Sequence, residues 1–223
     1  DVIEEDWKKW WSNAKKEMKG DGHFQLPVKK TEPIVYHAEE LSPADKLMSN
    51  IRDAKGLKAQ LAAAAELCKG IDGVENKEAV MDEVVSILND AIKNHLTLKP
   101  SLALEAVLLR DAILTQSGIQ PQEGELTAND IYEKADDLAG LIEGLSAAKQ
   151  KLALEAFRQT HSDTWVDTYL KLINETGLRL VGELIQILID TGHFEKFKAS
   201  LAKLIRMKTF SYLLGYFFYI PNH

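Results

Sequence analysis

Six histidines, one cysteine and several carboxylates are the side chains of this 223-residue sequence with the chemistry to ligate a metal or move a proton. His23, His37, His95, His161, His193 and His223 are scattered, and none stands at the spacing that would put two ligands on one helical face, as a zinc site requires. Asp130, Glu133 and Asp137 fall along one predicted helical stripe, but oxygen ligands without a constraining loop read as a solvated face rather than a cation site. Cys68 falls on the apolar side of its predicted helix, which favours an inert packed thiol; a reactive one needs access and a positive environment. Ser42, Ser146 and Ser162 stand at apparent helix starts, where a hydroxyl accepts backbone N–H groups. No nucleophile-elbow, phosphate-loop or dinucleotide-loop spacing occurs. These residues predict no catalytic centre, no metal and no cofactor, and the chain is read as a non-enzyme; a helical enzyme with an unfamiliar site is the remaining alternative.

The tryptophans are more informative. Trp7, Trp10 and Trp11 lie within one arc of a predicted helix and form a single aromatic wall, followed by Lys15, Lys16 and Lys19. Either the wall is core, docking the first helix on the next pair and trapping the Pro27–Val35 arm, or it is a partner-facing anchor. In the second case Trp7, Trp10, Trp11, Lys15 and Lys16 are the partner-binding set, since tryptophan is enriched where interface energy concentrates. Stacking of single-stranded nucleic acid on the rings needs a basic surround, and Glu4, Glu5, Asp6 and Glu17 largely cancel the lysines. A formal charge of -7 and a pI near 5.4 disfavour broad phosphate binding, so no sequence-specific nucleic-acid contact is expected. At the other end, nine large apolar residues, Phe210 and Tyr212 among them, crowd the stretch to Ile220; they are either buried against the Leu178–Asp190 helix or cover a surface that meets another domain or copy.

These side chains sit on predicted helix after helix. The first runs from Glu5 to Met18 and stops at Gly20, Asp21 and Gly22. Pro27 and Pro33 keep Gln25–Tyr36 extended, an arm laid on a helical surface. Ser42-Pro43-Ala44-Asp45 opens a helix, and the spacing of Leu47, Ile51, Ala54, Leu57, Leu61, Ala65 and Cys68 predicts about six turns. Val80, Val84, Ile87 and Ala91 mark the next, Ser101–Gln116 another that ends at Gly118, and Pro121–Gly124 reads as a linker. Thr127 with Asp130 starts a helix carrying Ile131, Ala135, Leu138, Ile142 and Leu145 on one side. Ala147–Gln159, Asp163–Thr176, Leu178–Asp190, Phe194–Arg206 and Phe210–Tyr219 complete the series, with Gly177 and Gly192 at two of the ends. Leu178–Asp190 is apolar almost all round and is predicted to be sandwiched between neighbours.

The pentapeptide Leu-Ala-Leu-Glu-Ala occurs at 102–106 and again at 152–156, a separation within the period range of helical repeats. The fold class is therefore all-α, either an irregular helical repeat of the α-solenoid kind or a multi-helix bundle, with an extended N-terminal arm. Residues 1–40 read as the tryptophan-rich helix and arm, and 41–223 as a repeat-like domain with a subdivision near 118–126. At 45% hydrophobic content a chain of this length hides roughly 70% of its unfolded surface, enough to fold unaided. It opens on Asp1 without a charged-then-apolar leader, so it reads as a piece of a longer chain with no sign of secretion, and no stretch reaches bilayer-spanning length. With a single cysteine, a cytoplasmic location is expected.

The segment Asp6–Val35, DWKKWWSNAKKEMKGDGHFQLPVKKTEPIV, joins an aromatic W-x-x-W-W run to a lysine-rich helix end, an Asp/Gly turn and a Pro-Lys-Lys-x-x-Pro strand before a capped helix. It resembles a stretch of the long N-terminal extension of large Gre-type transcript cleavage factors, the GreA/GreB-like elongation factors of chlamydia- and verrucomicrobia-like bacteria. The resemblance covers about the first fifty residues; beyond them only a helical region of suitable length is shared. Gre factors work through a helical hairpin whose acidic tip enters the secondary channel of RNA polymerase, followed by an FKBP-like domain. Neither a Gly-Asp-Leu-Ser-Glu-Asn-type tip nor a β-rich tail occurs here. The resemblance therefore implies an accessory, non-catalytic docking or spacing region, with a protein partner, RNA polymerase, and no membrane. A general α-solenoid interaction scaffold unrelated to transcription is the alternative.

Overall fold

The computed structural model describes residues 2–27, 31, 33–39, 42–70, 76–203 and 205–206. The architecture is all-α apart from one small ribbon, and the chain separates into two compact units, 1–127 and 128–223.

In 1–127, helix α1 (Val2–Gly20) leads into an antiparallel ribbon of β1 (Phe24–Gln25) and β2 (Val35–Tyr36), in which Phe24 faces Tyr36 and Gln25 faces Val35. The arm predicted to be an extended strip is thus a hairpin. Its Val28, Lys29 and Lys30 lie outside the described residues, while Ile34 is half-buried and Val35 and Tyr36 are exposed. Helix α2 (Pro43–Arg52) starts as the sequence requires: the Ser42 hydroxyl accepts the Asp45 N–H and Pro43 takes the first turn.

The six-turn helix expected over 47–68 is two helices, because the chain breaks at 53–56 before α3 (Leu57–Gly70). Helix α2 ends at Arg52, with Asp53 at its C-cap, and Gly56, at φ +92 in a left-handed conformation that a Cβ would strain, precedes α3, its carbonyl accepting the Ala59 and Gln60 N–H groups. Helices α4 (Lys77–His95) and α5 (Pro100–Ser117) pack along each other; α3 touches both, and α2 touches α3 and α4. Their shared core holds Ile51, Leu61, Met81, Leu88, Leu104 and Ile113, all essentially out of water. Burying each such side chain stabilises by about 1.5–3 kcal/mol, which explains why weakly periodic sequences still settle as helices here. Gly118 at φ +73 closes α5, its N–H donating to the Leu114 carbonyl.

In 128–223 the helix expected from Thr127 to Leu145 is also split, into α6 (Ala128–Glu133) and α7 (Leu138–Glu143). Asp137 ends the continuity by capping α7, its carboxylate accepting the Gly140 N–H at 2.9 Å. The stripe of Asp130, Glu133 and Asp137 therefore does not exist as one helical face. Both short helices pack on α8 (Ala147–Thr160), and α9 (Trp165–Leu172) packs on α10 (Leu178–Asp190), followed by helical residues 194–203. Helix α9 is shorter than the predicted 163–176: Thr164, not Ser162, occupies its N-cap position, and the Ser162 hydroxyl bonds to Asp163 instead. Ser146 holds the N-cap position of α8 without a side-chain cap bond.

Three buried polar side chains lock this second core through hydrogen bonds to backbone carbonyls. Tyr132 donates to the Ala153 carbonyl at 2.7 Å, Tyr169 to the Leu154 carbonyl at 2.5 Å, and Gln150 closes the end of α7 through the carbonyls of Glu143 and Leu145. Among the described residues nothing sandwiches helix α10. It buries one row, Leu180, Leu184 and Leu188, while Leu178 is 92% exposed and Ile189 44%. Gly192 at φ +77 ends it. The two Leu-Ala-Leu-Glu-Ala copies lie in α5 and α8, and both fully bury their second and third residues, Ala103–Leu104 and Ala153–Leu154. The predicted aromatic helix Phe210–Tyr219 lies outside the described residues.

Candidate functional site

Helix α1 has no fully buried residue among those described, and its main contacts are with β1. Trp7, Trp10 and Trp11 come together as one stack, with ring centroids 5.0 Å apart for Trp7–Trp10, 5.9 Å for Trp7–Trp11 and 6.2 Å for Trp10–Trp11. The i, i+3, i+4 spacing places the rings side by side, and offset stacking is favourable between such π-faces. The core reading of this wall is overturned for two of its members: Trp7 is 54% exposed and Trp10 56%. Trp11 is half-buried and carries the Lys15 ammonium 5.8 Å from its ring centroid, whereas Lys16, also exposed, falls on the opposite side of the helix and is not brought to the stack. An exposed patch of this size on a rigid helix offers large, entropically cheap contact area to a partner.

Polar anchors hold this helix to its unit. The Lys46 ammonium on α2 donates to the Asp21 carbonyl at the end of α1. Behind the turn, His23 Nδ1 bonds the His37 carbonyl at 3.0 Å, and His37 Nε2 meets Gln25 Oε1 at 3.1 Å. The Gln25 amide nitrogen then donates to Ser49 Oγ at 2.6 Å and Asp53 Oδ2 at 2.8 Å. Since the Gln25 nitrogen is committed to these acceptors, its oxygen must accept, which makes His37 Nε2 a protonated donor. Two of the scattered histidines are thus structural links across the hairpin, which Gln25 joins to α2. His193 is held differently, edge-on to Trp165 with centroids 5.0 Å apart.

A second polar knot, which the sequence reading missed, lies under the 118–126 segment. Arg110 on α5 is 2% exposed and donates to Asp111, to Asn89 Oδ1 at 2.9 Å and to the Leu126 carbonyl at 2.9 Å. Asn89 in turn donates to Glu125 Oε1 at 2.6 Å. Glu125 Oε2 is buried without a hydrogen bond, and the Arg110 guanidinium 3.8 Å away supplies charge compensation at a distance too long for one. A recess of about 290 Å³ opens over this knot, walled by Asp82, Asn89, Asp90, Lys93 and Gln122. A single arginine inside an apolar run was the available signal, since a lone charge on a buried face must be paired.

Burial pushes the Cys68 thiol up, away from the reactive thiolate. Burial likewise pushes the Tyr132 and Tyr169 hydroxyls well above the usual phenol range, and Arg158 holds the Glu155 carboxyl below the usual carboxylate range. Among the described residues no three His, Cys, Asp or Glu side chains converge to hold a metal ion, and no helix is long and apolar enough to cross a membrane.

Comparison with known proteins places these features in context. The sequence pattern of the GRAD helix-turn-helix domain matches residues 1–41, the range of α1 and the ribbon, and that of the GreA-associated C-terminal domain matches residues 43–213. The chain is 25% identical over 193 residues to the transcription elongation factor GreA of Chlamydia trachomatis serovar D, covering 82% of this chain and 25% of that protein. It thus spans about a quarter of the length of that curated relative. No solved structure matches.

Proposed function

This chain belongs to the family of the GreA-associated C-terminal domain, and on that premise we propose that it is a non-catalytic docking and spacing region of a Gre-like elongation factor. The family and the relative associate the chain with Gre-type factors. In this reading the factor acts on RNA polymerase to promote cleavage of backtracked RNA, and the acidic tip and metal that do the chemistry lie elsewhere. The observation that carries the docking role is the stack of Trp7, Trp10 and Trp11, its first two rings exposed and its edge bordered by Lys15, on a helix that its own unit leaves largely uncovered. The two family segments, 1–41 and 43–213, divide the labour: the helix and hairpin present the contact surface, and the helical body sets its distance from the rest of the factor.

Purified RNA polymerase immobilised on a biosensor tests this directly. The chain should bind, and Trp7→Ala with Trp10→Ala should weaken binding by at least about tenfold, the effect expected of a tryptophan hot spot, with unchanged helical circular dichroism. No binding by either this chain or a longer protein containing it would remove the docking reading.

A further inference from the structure

We propose that the recess of about 290 Å³ over the Arg110 knot binds a small alkylammonium ligand, whose charged head pairs with the Glu125 carboxylate. The recess shares no residue with the tryptophan stack, so it stands apart from the docking reading. An unfilled acceptor marks it. Asn89 donates to Glu125 Oε1 at 2.6 Å, while Oε2 of the same carboxylate has no hydrogen bond, although the side chain is only 10% exposed. Arg110 cannot serve it. Its Nη1 donates to Asn89 Oδ1 and to the Leu126 carbonyl, which uses both hydrogens of that nitrogen, and its Nε and Nη2 turn to Asp111. A buried carboxylate oxygen without a donor is costly, and a charged donor offers it the strongest bond.

The walls select the class of donor. Asp82, Val85, Asn89 and Lys93, three or four residues apart, share the face of α4 that lines the recess, and Asp90 stands beside them. Counting the knot below, the carboxylates of Asp82, Asp90, Asp111 and Glu125 outnumber the cations Arg110 and Lys93, so the surplus charge attracts a cation. A bare metal ion is not matched: among the described residues no three His, Cys, Asp or Glu side chains converge to hold one. Val85 and Leu114, both buried, and the half-buried Ile119 add an apolar wall, which suits an alkyl stem rather than a hydrated ion. Oε2 is covered in this form, so binding goes with a side-chain turn in the segment 119–125, a change usual on complex formation.

Titration of the 223-residue chain with n-butylammonium, followed by amide NMR shifts, is the test. Saturable shifts at Asn89, Ile119 and Glu125 are expected, with a dissociation constant of about 1 mM. Its neutral counterpart n-butanol, of the same shape without the charge, should bind at least about tenfold more weakly. Glu125→Gln keeps an acceptor for Asn89 and should lose about tenfold in affinity. Should that variant unfold, Asp82→Asn with Asp90→Asn on the exposed rim should weaken binding about threefold, and Lys93→Gln should tighten it by removing a like charge. No saturable shift at these residues, equal binding of n-butanol, or binding indifferent to the carboxylate variants would overturn the site and leave Glu125 Oε2 to a buried water.

Discussion

Gln25 on the hairpin reaches Asp53, the residue that ends α2, with its amide nitrogen 2.8 Å from the carboxylate. One side chain thereby joins the segment after α1 to the helical body, and through His37 it also ties the two strands of the ribbon together.

Gln25→Ala should release the hairpin without unfolding the body. Losing part-buried hydrogen bonds lowers stability by about 1 kcal/mol, but the sharper readout is local. Amide exchange at Tyr36 and His37 should accelerate while that of α4 and α5 stays unchanged, as measured by hydrogen–deuterium exchange.

Arg110→Met should be among the most damaging single changes in 1–127. It leaves the Glu125 carboxylate, which is 10% exposed, without its counter-charge, a loss of about 3 kcal/mol. Adding Glu125→Gln should recover much of that, because the stranded charge is gone. Arg110→Lys should recover little, since an ammonium cannot span Asp111, Asn89 and Leu126 together. Urea unfolding of the three variants provides the comparison.

A Cβ at position 140 would run into the Asp137 carboxylate, so Gly140→Ala should destabilise despite the better helix propensity of alanine. Asp137→Ala removes the cap and should lower stability by about 1 kcal/mol. Because the clash needs both side chains, the double variant should lose less than the sum of the two single losses, and a double-mutant cycle by thermal melting measures the difference.

Tyr132 and Tyr169 make 128–223 sensitive to alkali. Burial raises both phenol pKa values in the folded chain. Their stabilising contribution is therefore intact below the unfolded value of about 10 and is lost as pH climbs from there toward the folded values. Tyr132→Phe with Tyr169→Phe should lower stability at neutral pH, through two lost hydrogen bonds, yet flatten its decline above pH about 10. Chemical unfolding midpoints across pH 8–11 follow both effects, the range being set around about 10.

The sequence revealed most helices and hid two breaks, for a common reason. Leu47, Ile51, Ala54, Leu57 and Leu61 keep helical phase across 53–56, so hydrophobic spacing alone continues a helix that in fact ends at Arg52 and restarts after the left-handed Gly56. At 134–137 the apolar phase also runs on, and the stronger signal was local: Asp137 three residues before Gly140, a cap geometry. Leu178–Asp190 misled differently, since composition reports what a side chain would gain by burial and not whether a neighbour covers it. The same limit applied to the tryptophans: their arc was legible, their exposure was not. Arg110, Asn89, Glu125 and Gln25 join residues up to 36 apart in sequence, which no periodicity encodes.

Trp165, the fourth tryptophan, is 7% exposed, edge-on to Tyr169 with the Arg158 guanidinium over its ring. The indoles are thus partitioned by environment: three clustered near water at one end of the sequence, one enclosed in the second unit. Emission should accordingly resolve into a red, quencher-accessible component from α1 and a blue, shielded one from α9. Close stacking of the first three should add a paired-sign signal from coupled transitions near 225 nm, about the ordinary indole band. The protein carries an intrinsic optical label on each half, so occupancy of one surface and integrity of the other core can be followed in a single cuvette without attaching a dye.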